Sequence, residues 1–313
     1  MPKVSVGTFN VENLFMRYKL LDNERGSRIP KPVDPDKFIE EGGHINMLGF
    51  TLEDFGLISR TARKNTGKVI LENDADVVGL QEVENMEALK QFNRKYLKKA
   101  FGEEVLIDAN DPRLIDVALV SKLPIVHARS HQFDADEDGR LIFSRDCLEV
   151  DIQVSAQKTL TLYVNHFKSK IGGGEDRREK QATRVAEIVQ DRFGKNLKGG
   201  DFVVLGDLNS GPDAEELQPL LGLKGLENVI QRIADDTKRW THFFAPKKET
   251  EQLDYILFSP TLTAKNPGGV PAIERRGLSD ASLSVYPGPR FPGVGPDGTE
   301  ASDHCGVFMT LNV

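Results

Sequence analysis

The chain has 313 residues, with 41 Lys and Arg against 48 Asp and Glu, so its formal net charge is −7. At 39% hydrophobic and 28% charged it has the composition of a globular protein, and no apolar run approaches the ~18 residues of a membrane-spanning helix. Two cysteines exclude a disulfide-dense scaffold and a four-cysteine zinc site, and the acidic balance argues against a protein that wraps nucleic acid by charge alone.

The chain opens Met-Pro-Lys and enters a period-two strand pattern at Val4-Ser5-Val6-Gly7-Thr8-Phe9. No basic start followed by an apolar stretch is present. This implies a cytosolic protein if the chain is full length, and a secreted or periplasmic one if a leader has been removed. Arg17–Phe50, with Pro30, Pro32, Pro35 and Gly42-Gly43, reads as an insertion after the first strand. A helical pattern over Thr51–Leu71 leads into a strand at Ala75–Leu80, and Met86–Leu97 spaces Leu89, Phe92, Tyr96 and Leu97 as a helix does.

Strand patterns follow at Asp116–Val120, Leu148–Val154 and Thr159–Asn165. Glu179–Phe193 then puts Ala182, Val185, Ala186, Val189 and Phe193 on one helical face. Further strands are predicted at Phe202–Leu205, Leu253–Phe258 and Gly306–Leu311. Between the last two, Pro267–Gly298 is rich in Pro and Gly and fits no element. Strands interleaved with helices, some adjacent as hairpins, predict two packed sheets flanked by helices. The whole chain, 1–313, reads as a single domain with insertions near 17–50 and 267–298.

The polar residues sit where strands end: Asn10-Val11-Glu12, Gln81-Glu82, Asn165-His166, Asp207-Leu208-Asn209, Asp254 and Ser302-Asp303-His304. Strand ends on one edge of a sandwich converge. Carboxylates and amides gathered there suit a hard divalent cation, which cancels phosphate charge, and imidazoles suit proton movement. Each block alone also fits a turn, a cap or a hydrogen-bonded core residue; the joint pattern is the signal.

Phe9-Asn10-Val11-Glu12-Asn13-Leu14-Phe15, Gly79-Leu80-Gln81-Glu82-Val83, Asn165-His166-Phe167-Lys168-Ser169, Leu205-Gly206-Asp207-Leu208-Asn209, Leu253-Asp254-Tyr255-Ile256 and Ser302-Asp303-His304 together resemble the endonuclease/exonuclease/phosphatase superfamily. The first three blocks are most similar to bacterial predicted extracellular nucleases. The resemblance implies a four-layer α/β/β/α sandwich of two mainly antiparallel sheets, with the site at one sheet edge. It implies Glu82 as principal metal ligand, Asn10 near metal and phosphate, Asp303 on the metal directly or through water, and Glu12 at second rank. By the same resemblance Asp207 orients or deprotonates water, Asn209 steadies the phosphate, and Asp254 fixes the tautomer and charge of His304, which acts as base or as phosphate clamp. His166 stands where apurinic-site endonucleases carry Tyr and where secreted deoxyribonucleases and bacterial sphingomyelinases carry His. That points to cleavage of ordinary phosphodiesters.

Ser210-Gly211-Pro212 after the Asp207 block, and Gln252-Leu253-Asp254-Tyr255, depart from inositol-polyphosphate 5-phosphatases. Sphingomyelinases display an exposed aromatic hairpin, for which the Pro/Gly-rich stretch offers Tyr286 and Phe291. A cationic track is expected at Lys168, Lys170, Arg177, Arg178, Lys180 and Arg184, passing Gly172-Gly173-Gly174; the substrate-binding candidates are Lys168 and Arg177 of this track, Ser169 beside His166, and Arg113, which with Asp116 borders another strand facing the site. Cys147 and Cys305 read as core, and Trp240-Thr241-His242-Phe243-Phe244 as packing that also borders the cleft. The expected activity is a Mg²⁺- or Mn²⁺-dependent phosphodiesterase, with Ca²⁺ as a further candidate ion. It acts on nucleic acid, as a DNA endonuclease of low sequence specificity, without a stable protein partner or a transmembrane segment. The alternatives are a phosphatase or phospholipid phosphodiesterase on the same scaffold, and a catalytically silent phosphate-binding member.

Overall fold

Valine- and leucine-rich runs of period two form the strands, because branched side chains on alternate faces of a pleated backbone pack against two layers at once. In the computed structural model, which describes residues 1–14, 19–20, 55–56, 59–113, 115–170 and 172–313, these runs build two six-stranded sheets. The first is ordered β15 (Ala272–Glu274), β16 (Gly306–Asn312), β1 (Lys3–Leu14), β4 (Val77–Val83), β6 (Asp116–Ser121), β5 (Glu103–Leu106). The second is ordered β11 (Glu227–Asn228), β14 (Asp254–Phe258), β10 (Phe202–Asp207), β9 (Lys158–His166), β8 (Cys147–Ser155), β7 (Ile125–Ser130). Each sheet has one parallel pairing, β1 with β4 and β10 with β9, and is otherwise antiparallel. Two small ladders complete the strands: β2 (Lys19–Leu20) with β3 (Phe55–Gly56), and β12 (His242–Phe244) with β13 (Glu249–Glu251).

The alternation sorts side chains into three cores. Val4, Val6, Val77 and Leu119 of the first sheet meet Leu162, Val164, Val203 and Leu205 of the second in the central layer. Phe9, Leu80 and Val78 turn outward to meet Val69 and Ile70 of helix α1 (Arg60–Glu72) and Leu89 and Phe92 of helix α2 (Met86–Lys95). Tyr163, Phe202 and Val204 face the other way, onto Ala182, Val185 and Val189 of helix α3 (Glu175–Phe193). Each fully buried Val, Leu or Phe contributes ~1.5–3 kcal/mol over its exposed state, so a one-residue register slip, which exchanges faces, is strongly resisted. The result is the four-layer α/β/β/α sandwich that the sequence predicts. Among the described residues no helix is long and apolar enough to cross a membrane.

Two expectations are corrected. The helix predicted from Thr51 starts at Arg60, where the Ser59 hydroxyl accepts from the N–H groups of Thr61 and Ala62; residues 51–54 and 57–58 lie outside the described residues. The Arg17–Phe50 insertion also lies outside them, apart from the short β2 ladder. The Pro267–Gly298 stretch is described throughout and is packed rather than structureless. It contains β15, Leu278 and Phe291 are buried, the Arg276 guanidinium lies 4.4 Å from the Phe291 ring centroid, and Asn65 Nδ2 donates to Gly293 O at 3.1 Å. Phe291 and Tyr286, the latter beneath Arg290, are thereby held within the fold rather than displayed as a docking hairpin.

Candidate active site

Three neighbouring strands set the core of the site in one row. His166 at the end of β9 is in register with Asp207 at the end of β10, and Asp207 with Asp254 at the start of β14. Gly206 makes this approach possible: its φ is +132°, and an added Cβ would lie 2.0 Å from Asn165 O. From the first sheet come Asn10 on β1 and Glu82 on β4, each at an irregularity in its ladder. Glu12, Glu82 and Asn209 all hold positive φ, at 47°, 66° and 53°. Such a backbone is costly for side chains with a Cβ and persists only where its surroundings enforce it. Irregularities in the ladders turn Glu12 and Glu82 out of the regular pleat, and Asn209 follows the end of β10; Glu82 and Asn209 line the cleft.

Hydrogen bonds fix the row. Asn10 Nδ2 donates to Asp207 Oδ2 at 3.0 Å, and the Asn209 N–H to Asp207 Oδ1 at 2.8 Å. Asn209 Nδ2 donates to Phe167 O at 3.1 Å. Asp207 Oδ2 lies 3.5 Å from His166 Nε2 and 3.9 Å from His304 Nε2, so two imidazoles face one carboxylate. Glu82 Oε1 is 3.9 Å from His166 Nε2. His304 Nδ1 sits 2.9 Å from Asp254 Oδ2, which also accepts from Thr241 Oγ1 at 2.7 Å. Glu12 Oε2 accepts from the Asp303 N–H at 3.1 Å, and Ser302 Oγ donates to Asn10 O at 2.8 Å, tying the last block to the first strand. The helix after β4 is capped by Asn85, which accepts from the Ala88 N–H, so the Glu82 side chain is not spent as a cap.

Burial and charge divide the imidazoles. Burial, then the positive charges of Arg145, Arg113 and His304, hold His166 well below the ordinary imidazole value, so it is neutral. Burial also opposes charge on His304, but the carboxylates of Asp254 and Asp207 outweigh it and hold that imidazole well above its ordinary value. Asp207 is pushed up to about 6, first by burial and then by the charge of Asp254, against His304 and its two hydrogen bonds. The Asp303 carboxyl is held low by His242 and His304, although burial acts the other way.

These groups line one cleft of about 790 Å³ together with Arg113, Arg145, Ser169, Lys170, His242 and Phe244. Arg145 is buried with its Nε donating to Asp111 Oδ2 at 2.9 Å, while the half-exposed Arg113 lies 3.3 Å from Asp111 Oδ1. One carboxylate therefore presents two guanidiniums as the cationic wall. Sequence reading missed Arg145 and took His242 first as packing, with the cleft rim as its second use. The expected cationic track is mostly neutralised instead. Lys180 pairs with Asp136 at 2.6 Å, Arg184 with Asp134 at 2.8 Å and Arg178 with Glu216 at 3.0 Å, while Lys170 pairs with Glu251 across the cleft mouth. Arg177 donates to the carbonyls of Leu141 and Ile142 and is not part of the cleft. Lys168 Nζ turns back to Ser169 O at 2.9 Å. Gly172, Gly173 and Gly174 form a left-handed turn into α3.

The donor set fits a hard divalent cation. Glu82, Asp303 and Asn10 bring oxygen ligands to the same cleft. Paired six-stranded sheets with a carboxylate–imidazole row at one edge define a hydrolase of phosphate esters. The chain belongs to the endonuclease/exonuclease/phosphatase family, whose sequence profile matches residues 43–304. No curated protein sequence matches it.

Solved structures share the fold. The truncated TDP2 of Caenorhabditis elegans is 14% identical, with TM-score 0.63 over 99% of this chain and 98% of that one. D. rerio TDP2 complexed with single strand DNA product is 15% identical, with TM-score 0.61 over 99% of each. The human Nocturnin catalytic domain with bound sulfate anion is 13% identical, with TM-score 0.61 over 99% of this chain and 94% of that one.

Proposed function

We propose that the protein is a phosphodiesterase dependent on Mg²⁺ or Mn²⁺ that cleaves DNA internally with little sequence preference. The observation that carries this reading is the pair of imidazoles that face one oxygen of Asp207, with burial disfavouring charge on His166 and the carboxylates of Asp254 and Asp207 favouring it on His304. Glu82, Asn10 and Asp303 would hold the divalent ion, which would supply charge neutralisation at the phosphate. Asp207, oriented by Asn10 and the Asn209 N–H, accepts the proton of the attacking water. His304, fixed through Nδ1 by Asp254, holds that water or a phosphate oxygen through Nε2. His166, neutral, donates an N–H hydrogen bond where charge develops, and the Arg113–Arg145 wall holds the flanking phosphate. Each positioned acid or base contributes ~10²–10⁴-fold in rate.

Two features favour nucleic acid over a phosphomonoester or a lipid. The cleft volume of about 790 Å³ exceeds what a single phosphate needs, and Phe244 on its rim keeps 42% exposure beside His242 and Lys247. An exposed ring beside a lysine suits a stacked base and its phosphate. The test is to incubate the protein with plasmid DNA, RNA, a generic phosphodiester, a phosphomonoester and sphingomyelin vesicles, each with Mg²⁺, Mn²⁺, Ca²⁺ or chelator. Nicking of plasmid with Mg²⁺ or Mn²⁺, abolished by chelator, is expected. Hydrolysis of the monoester or of sphingomyelin with DNA left intact overturns the reading.

A further inference from the structure

His242 lines the cleft, yet the phosphodiester reading gives it no task. It sits on β12, bridged antiparallel to His304. The Phe243 N–H donates to Asp303 O at 3.0 Å, and the Cys305 N–H to Thr241 O at 2.6 Å. This main-chain pairing holds the two imidazoles side by side, with ring centroids 4.6 Å apart. Nε2 of His242 is 3.6 Å from Asp303 Oδ2, and Nε2 of His304 is 4.0 Å from Asp303 Oδ1. One ligand atom from each of the three residues lies within 4.8 Å of the other two.

A tetrahedral ion with ligand bonds of ~2.1 Å holds its ligand atoms ~3.4 Å apart; the two imidazoles face different oxygens of Asp303, so a rotation of that carboxylate and a contraction from within 4.8 Å bring one oxygen to both. His304 already carries the outer partner that a metal-bound imidazole requires: Nδ1 is engaged by Asp254, which leaves Nε2 as the ligand atom. The Asp303 backbone is fixed in turn by Glu12.

Two imidazole nitrogens and one carboxylate are a donor set for Zn²⁺ and similar transition ions, whereas Mg²⁺ takes oxygen ligands. We propose that His242, Asp303 and His304 form a binding site for a Zn²⁺-class ion, which shares Asp303 with the oxygen ligands around Glu82, adds two imidazoles, and when occupied takes the His304 Nε2 used in the phosphodiester reading. Three protein ligands leave a fourth position for solvent or a phosphate oxygen. The site does not depend on the chain's being a nuclease.

The purified full chain is titrated with Zn²⁺ alone by calorimetry, and again with Mg²⁺ in excess. The expected result is a single Zn²⁺ per chain that Mg²⁺ does not displace, with H242Q weakening it by at least ~10-fold and E82Q leaving it unchanged. Co²⁺ gives a second readout: the visible absorption of a tetrahedral N,O site is expected in the wild type and is lost in H242Q. Thermal unfolding verifies that the variants fold, and His242→Asn replaces H242Q if that variant does not. Zn²⁺ affinity unchanged in the folded His242 variant, affinity lost in E82Q, or no bound Zn²⁺ overturns the proposal.

Discussion

Asp116 opens β6, opposite Val83 and beside the bulge that carries Glu82. The residue is 4% exposed, and its carboxyl accepts from the Ala109 N–H at 3.1 Å. Burial, reinforced by the charges of Asp108, Asp111 and Asp146, raises its pKa from 3.8 to about 7. In the unfolded chain it returns to about 3.9. Between those values the native state keeps a proton that the unfolded state releases. The stabilisation is therefore full below pH ~4 and is lost as pH rises through ~7. At ~1.36 kcal/mol per unit, a gap of about 3 units sets an upper bound of ~4 kcal/mol. Asp116→Asn keeps the shape and the acceptor for Ala109 but cannot ionise. Urea unfolding of wild type and variant at intervals from pH 5 to 8.5 is expected to show the difference in stability swinging towards the variant as pH rises, by up to ~3 kcal/mol, the remainder of the ~4 being lost below pH 5. Other groups titrate equally in both proteins, so the difference isolates Asp116. Parallel stability curves would refute the argument and imply that Asp116 ionises freely in the fold.

The site yields sharper functional outcomes. Asp207→Ala and His304→Ala each lower kcat by ~10²–10⁴-fold with the fold retained by thermal unfolding; because the two act as a unit, the double variant is little worse than either single one. Undiminished turnover in a folded single variant contradicts the mechanism. Asp254→Asn keeps the bond from Thr241 but removes the carboxylate that orients His304. A loss of similar size in kcat, with KM nearly unchanged, is expected, and imidazole ¹⁵N spectra should report the altered proton on His304. Phe244→Ala removes the exposed ring; loss of one base-stacking contact, ~1–3 kcal/mol, raises KM for single-stranded DNA and leaves a small alkyl phosphodiester unaffected. An equal rise for both substrates would place Phe244 in general cleft packing.

What could be read in the chain, and what could not, divides by the range of the interaction that decides it. Alternation within β9 or β10 is local, so Leu162, Val164, Val203 and Leu205 could be assigned to an inner face, and the polar ends His166 and Asp207 to one edge. The bulges that aim Glu12 and Glu82 were invisible, because they arise from pairing with another strand. Charge was the poorest guide. Lys180 and Arg184 look like a cationic track beside Lys168, yet their partners Asp136 and Asp134 lie 44 and 50 residues earlier. Arg145 had no local signal at all, since its place depends on Asp111, 34 residues away, and on the Phe167 carbonyl. His242 belongs to the site only through its bridge to His304. The net charge of −7 follows the same logic. Glu82, Asp207, Asp254 and Asp303 concentrate negative charge where a cation is to sit, while two guanidiniums sharing Asp111 supply the positive wall. On the proposed reading, an acidic chain of this kind engages a polyanion through a metal ion and a short basic rim. Its affinity for DNA should therefore fall with added salt much less steeply than that of a protein that neutralises six or more phosphates, ~[salt]⁻⁵ or beyond.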